Sequence, residues 1–122
     1  MTLQELYKNI DGDYEQALKV LRMDKLLDKH IRKLTKNGVV EAMLEAGKTL
    51  DPTQMFETAH AAKGVCANLG LTKLANAASE LSEEFRPGNA RSMTDAEVAA
   101  KLEETEALYR QTAEWIRLYE QG

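Results

Sequence analysis

The sequence is poor in the residues that break helices and in those that bind metals. Among its 122 residues it has two prolines, one cysteine (Cys66) and two histidines (His30 and His60). A lone cysteine cannot form an internal disulfide, and two histidines with one thiol make a poor ligand set for zinc. The sequence therefore predicts neither a disulfide scaffold nor a metal site.

Long apolar runs and an excess of basic residues are also lacking. No segment approaches the roughly 18 consecutive apolar residues of a membrane-spanning helix, and residues 1–16 lack the apolar core of a secretion signal. The 16 Lys and Arg residues are interleaved with 20 Asp and Glu residues, and the formal net charge is −4. Because binding to nucleic acid or to anionic lipid draws on clustered basic residues, we expect the protein to bind neither nucleic acid nor membranes. The lack of a secretion signal and of a membrane-spanning segment leads us to expect a cytoplasmic protein.

The composition is that of one globular domain. Hydrophobic residues make up 43% of the chain and charged residues 30%. A chain of 122 residues can bury one continuous apolar core but is short for two. We therefore expect residues 1–122 to form a single domain.

Apolar residues recur at helical spacing along almost the whole chain. Residues that cap helices mark starts at Thr2, Asp13, Asp51 and Thr94, and Gly70 marks a stop. The expected helices cover about 2–10, 13–21, 23–36, 52–69, 72–86 and 94–119, and a short apolar segment at 39–44 either continues the third helix or forms one of its own. This pattern predicts an all-α fold, an antiparallel four-helix bundle with one or two short additional N-terminal helices.

The helix expected over residues 52–69 carries the residues that matter for function. A step of about 100° per residue gathers one broad inward face, which comprises Met55, Thr58, Ala59, Ala62, Val65, Cys66 and Leu69. His60 projects from the opposite face and should lie in water. The surface around His60 carries one cation and little side-chain bulk. Its residues at helical spacing are Lys63 one turn on, Gly64 next to it and Ala67 two turns on.

This surface suits a histidine that exchanges a phosphoryl group with another protein. Glycine inside a helix costs about 0.5–1 kcal/mol relative to alanine, so Gly64 needs a reason such as clearance for a docking partner. A neutral imidazole nitrogen is a nucleophile for phosphorus, and the Lys63 cation can neutralise charge on the transferred group. Phe56, expected to be exposed, and Ala67 would add apolar surface to the docking patch.

The segment Ala59-His60-Ala61-Ala62-Lys63-Gly64, followed by Asn68-Leu69-Gly70, resembles the motif of the histidine-containing phosphotransfer (HPt) domain family. In that family a lysine follows the histidine by three residues and a glycine follows it by four, and His60, Lys63 and Gly64 match in register. Leucine is common at the second residue after the histidine, where this chain has Ala62. Because Ala62 falls on the expected inward face, this departure should affect packing and not chemistry.

The resemblance implies a phosphorelay intermediate of two-component signal transduction. His60 would accept the phosphoryl group, Lys63 would help to hold it, and Gly64 and Ala67 would give a partner clearance. The implied partners are a sensor histidine kinase or hybrid kinase and the receiver domain of a response regulator. The domain would be a stoichiometric carrier and not an enzyme, with no cofactor of its own, since the divalent metal would lie in the receiver.

Other interpretations of the same residues are a metal site and a plain docking module. Glu57 and His60 have the Glu-x-x-His spacing of di-metal bundles, but His30 has Leu27 at that position, and both Glu57 and His60 point outward. A helical protein–protein interaction module without phosphoryl chemistry remains open, and such a module should tolerate replacement of His60. His30, at the edge of an apolar stripe, is expected to be structural.

Overall fold

The chain folds into helices whose starts carry capping residues. A computed structural model describes all 122 residues and contains no β-strand. Its seven helices are α1 (Leu3–Asn9), α2 (Tyr14–Leu21), α3 (Asp24–Lys33), α4 (Val39–Ala46), α5 (Pro52–Asn68), α6 (Thr72–Glu84) and α7 (Asp95–Gln121). None of them is both long enough and apolar enough to cross a membrane.

The predicted helix starts are confirmed. Thr2 and Thr94 begin α1 and α7 with capping boxes, in which the threonine hydroxyl accepts a hydrogen bond from the backbone N–H three residues on and the glutamate there accepts one from the threonine N–H. The Asp51 carboxylate accepts from the Gln54 N–H at 3.0 Å, and Pro52 occupies the first turn of α5. These contacts satisfy amide groups that a helix leaves unpaired at its start.

The three long helices α5, α6 and α7 form the bundle together with α3 and α4, which share the fourth position. Gly38, with φ of +73°, separates α3 from α4, so the segment left open by the sequence forms a helix of its own. Helix α7 runs antiparallel to this pair, because Tyr109 donates a hydrogen bond to Glu41 in α4 and Tyr119 donates one to Asp28 in α3. The all-α bundle with two short additional helices, α1 and α2, is thus confirmed.

All seven helices contribute to one hydrophobic core of 25 buried residues. Met43 lies in it, and so do Met55 and Cys66, which were predicted to face inward. Burial raises the pKa of the Cys66 thiol to about 12, so the thiol stays protonated and unreactive. Ala62 is fully buried, which places the departure from the family's leucine in the core.

The turn after α5 is fastened to the N-terminal helices. Gly70 has φ of +68°, its carbonyl oxygen accepts a hydrogen bond from the Asp13 N–H at 2.7 Å, and a Cβ at this position would overlap the Asp13 carbonyl oxygen. The Tyr7 hydroxyl donates to the Leu69 carbonyl oxygen at 2.6 Å. The Leu69-Gly70 pair therefore ends α5 and holds α1 and α2 against it.

One buried carboxylate holds the connection between α6 and α7. The Glu84 side chain is only 3% exposed. Its carboxylate accepts hydrogen bonds from the Arg91 guanidinium at 2.7 Å, the Ser92 hydroxyl at 2.8 Å and the Met93 backbone N–H at 2.9 Å. Glu84 therefore fastens the last turn of α6 to the segment just before α7.

Candidate functional site

Helix α5 buries one face and exposes the other. Met55, Ala59, Ala62 and Cys66 are buried, and the line they form continues to buried Leu69. His60 lies on the exposed face, as predicted. Thr58 and Val65, predicted to face inward, are half-buried at the two borders of the inward face, so the core covers a narrower stripe of α5 than the helical pattern predicted.

The surface that follows His60 along α5 is nearly free of side-chain bulk. Gly64 and Ala67 are exposed, and Lys63 is half-buried. Apart from the backbone of its own helix, a Cβ built at Gly64 would meet no heavy atom within 4 Å. Packing inside the protein therefore does not require a glycine at this position. The absence of a side chain leaves open space on the surface that another molecule can occupy.

Phe56, one turn before His60, differs from the prediction. It was expected to be exposed, but it is half-buried and packs against the core. The Phe56 ring also stacks on the His60 imidazole, with ring centroids 5.6 Å apart and planes inclined by 22°. This geometry lies within the range of offset-stacked aromatic pairs, so the exposed imidazole has a neighbour on one of its faces.

Charged residues of α6 and of the connection after it complete the surroundings of His60. The Arg86 guanidinium lies over the Phe56 ring, 5.2 Å from its centroid. Arg86 also donates hydrogen bonds to the Glu83 carboxylate from Nε at 3.0 Å and from Nη2 at 2.7 Å. The hydrogen bond from Arg86 holds the pKa of the Glu83 carboxyl below its usual value, and the nearby Lys63 cation acts in the same direction. Two cations, Lys63 and Arg86, thus flank the Phe56–His60 pair.

Arg86 and Glu83 were not predicted from the sequence, because both lie beyond the helix that carries His60. The only available signal was an arginine three residues after a glutamate at the end of α6, a common surface pair. Its position beside Phe56 depends on how α5 and α6 pack.

The second histidine lies elsewhere. His30 is exposed on α3 and lines a shallow cleft with Val65 and Asn68, and this cleft does not include His60. The structural role expected for His30 stays a prediction. No group of three or more His, Cys, Asp or Glu side chains is placed to hold a metal ion.

A model of one protein family matches most of the chain. The family model described as Hpt domain matches residues 20–115, a range that contains His60, Lys63 and Gly64 and most of the bundle. No curated protein and no solved structure matches this chain. On the strength of a match that covers well over half of its length, the chain belongs to the Hpt domain family, the phosphotransfer domains of two-component phosphorelays.

Proposed function

We propose that this protein is a phosphorelay intermediate that carries a phosphoryl group on His60 and exchanges it with an aspartate of a response-regulator receiver domain. The observation that carries the proposal is the exposure of His60 on a helix face that Gly64 and Ala67 leave open. A receiver domain must bring its aspartate within bonding distance of the imidazole through one phosphorus atom. Such an approach requires a surface with little bulk beside the histidine.

The chemistry needs one nucleophile and good alignment. A neutral nitrogen of His60 attacks the phosphorus of the aspartyl phosphate, and a nitrogen–phosphorus bond forms while the bond from phosphorus to the aspartate oxygen breaks. The electron pair of that broken bond stays on the aspartate carboxylate. The other ring nitrogen keeps its proton, which the phosphorylated ring can then release to water. In the reverse direction the imidazole is the leaving group.

Charge neutralisation on the carrier side falls to Lys63. Phosphoryl transfer passes through a loose transition state in which negative charge spreads over the phosphoryl oxygens. The Lys63 ammonium, one helical turn from His60, can approach those oxygens without displacing the aspartate. No cofactor on this chain is needed, since the divalent metal that receivers use would stay in the receiver.

We propose a sensor histidine kinase or a hybrid kinase as the upstream partner and a response regulator as the downstream one. The protein would act as a stoichiometric carrier and not as an enzyme, because it ends each half-reaction modified. We place the relay in the cytoplasm, where an unpaired thiol such as Cys66 stays reduced.

The test is transfer of labelled phosphoryl from a phosphorylated receiver domain to the wild type, to His60→Ala and to His30→Ala. His30 is the matched control, because both histidines are exposed and either replacement should leave the bundle folded. We expect label on the wild type and on His30→Ala but none on His60→Ala, and we expect acid to release it, since phosphohistidine is acid-labile and hydroxyl esters are not. Label that persists on His60→Ala would reject His60 as the carrier. A folded wild type that takes no label from a broad panel of receivers would favour the interaction module.

A further inference from the structure

The geometry points to Phe56 as the residue that positions the His60 imidazole for transfer. This inference rests on the proposed function and adds a residue to it. Phe56 touches no reacting atom, so we assign it a positioning role. The observation behind it is the stack between the two rings, with centroids 5.6 Å apart and planes inclined by 22°.

An exposed histidine on a helix is otherwise free to turn. Two χ1 rotamers are available to most side chains in a helix, and χ2 of histidine is roughly two-fold, so an unrestrained His60 would sample about four orientations. The stack on Phe56 favours one of these. Of the residues at helical spacing on the other side, Gly64 and Ala67 have no side chain long enough to do the same, and Lys63 has no ring to stack on the imidazole.

Phe56 can hold another ring only if it is itself held. One part of its ring packs against the hydrophobic core, and the Arg86 guanidinium lies 5.2 Å from its centroid. Arg86 is held in turn by hydrogen bonds of 3.0 and 2.7 Å to the Glu83 carboxylate. The orientation of an imidazole on α5 is therefore linked to the end of α6, which the buried Glu84 carboxylate ties to the connection that follows it.

The consequence concerns transfer from a docked protein and not reactivity in general. A receiver bound to α5 presents its phosphorus in one direction, so only the imidazole orientation that faces it can react in line. Restricting about four orientations to one raises the reactive population by at most about fourfold. A small phosphoryl donor in solution can approach from any side and should not detect the restriction.

The experiment compares the wild type with Phe56→Ala, Phe56→Tyr and Val65→Ala. Tyrosine keeps the aromatic face, and Val65 is a half-buried residue of the same helix whose truncation controls for loss of packing. At saturating phosphorylated receiver we expect Phe56→Ala to transfer about two- to fourfold more slowly than the wild type, and the other two variants to match the wild type. With phosphoramidate as the donor, all four proteins should react at the same rate. Phe56→Leu replaces Phe56→Ala if the latter does not fold.

Three results would overturn the inference. Phe56→Ala could match the wild type at saturating receiver. It could weaken receiver binding and leave the saturated rate unchanged, which would make Phe56 a docking residue. It could slow the reaction with phosphoramidate by the same factor, which would indicate altered nucleophilicity.

Proton NMR of the unphosphorylated protein separates failure of this inference from failure of the proposed function. The ring current of Phe56 should shift the Cδ2 and Cε1 proton signals of His60 in the wild type and in Phe56→Tyr, and the shift should vanish in Phe56→Ala. If the shift is present but the wild type accepts no phosphoryl group from any receiver, the proposed function fails and the positioning role fails with it. If the wild type is phosphorylated but the shift is absent, the proposed function stands and the positioning role is wrong.

Discussion

Replacing Glu84 with glutamine should remove a large share of the stability of this protein at neutral pH and progressively less as the solution becomes acidic. The Glu84 carboxylate is buried and accepts hydrogen bonds from Arg91, Ser92 and Met93. Glutamine has nearly the same shape and keeps one acceptor oxygen. The NH2 group of the glutamine cannot accept a hydrogen bond, so some of these N–H and O–H donors would lose their acceptor. A buried unpaired donor costs about 1–3 kcal/mol.

The size of the effect follows from the pKa of Glu84. Burial by itself raises this pKa, but the hydrogen bonds from Met93, Arg91 and Ser92 outweigh burial and lower it from 4.5 to about 2. A carboxyl whose pKa is lower in the folded than in the unfolded protein stabilises the fold at pH values above its unfolded-state pKa. This stabilisation is lost as the pH falls through the folded-state pKa. The difference between these two pKa values corresponds to roughly 3 kcal/mol. We therefore expect Glu84→Gln to lower the free energy of unfolding by about 2–3 kcal/mol at neutral pH. Small domains have total stabilities of about 5–15 kcal/mol.

Urea unfolding followed by circular dichroism at a series of pH values from about 7 down to about 2 measures this effect. The gap between wild type and Glu84→Gln should be constant above about pH 5 and should shrink below it, because the wild type then loses the charge that the variant lacks. Glu83→Gln is the matched control: Glu83 is exposed and its carboxylate pairs with the neighbouring Arg86, so its replacement should change stability far less. A neutral-pH gap below about 0.5 kcal/mol, or one that persists unchanged in acid, would refute the reasoning.

Two further predictions concern glycines of the family motif. Gly64→Ala should raise the free energy of unfolding by about 0.5–1 kcal/mol, because alanine favours the helix and its Cβ meets no neighbouring element. It should nevertheless slow transfer from a receiver, because the added methyl would occupy the space through which we propose that the receiver approaches. Thermal unfolding and the transfer assay check the two halves of this statement, and a variant that is both more stable and fully active would contradict the clearance role. Gly70→Ala should lower the free energy of unfolding by more than about 1 kcal/mol, because alanine is strained at φ of +68° and its Cβ would overlap the Asp13 carbonyl oxygen. Urea unfolding measures this, and a stability equal to that of the wild type would show that the turn relaxes without cost.

Features that depend on residues within one or two helical turns were predictable from the sequence. Thr2, Asp51 and Thr94 cap their helices because a side-chain oxygen needs only the backbone N–H groups just after it. The exposure of His60 followed from the rotation of one helix about its own axis. Helical spacing did not predict how far Val65 and Phe56 are buried, because the burial of a residue at the border of a helix face depends on the neighbouring helix.

What the sequence by itself determined is the all-α class, the bundle, and the helix face on which His60, Lys63, Gly64 and Ala67 lie together. Only the tertiary structure placed Arg86 over the ring of Phe56 and buried Glu84 among donors from the connection to α7. It also divided the fourth helix of the bundle at Gly38. The physical reason is that helical periodicity is set by hydrogen bonds four residues apart, whereas contacts between helices depend on where two helices cross, and that is decided by the packing of the whole core.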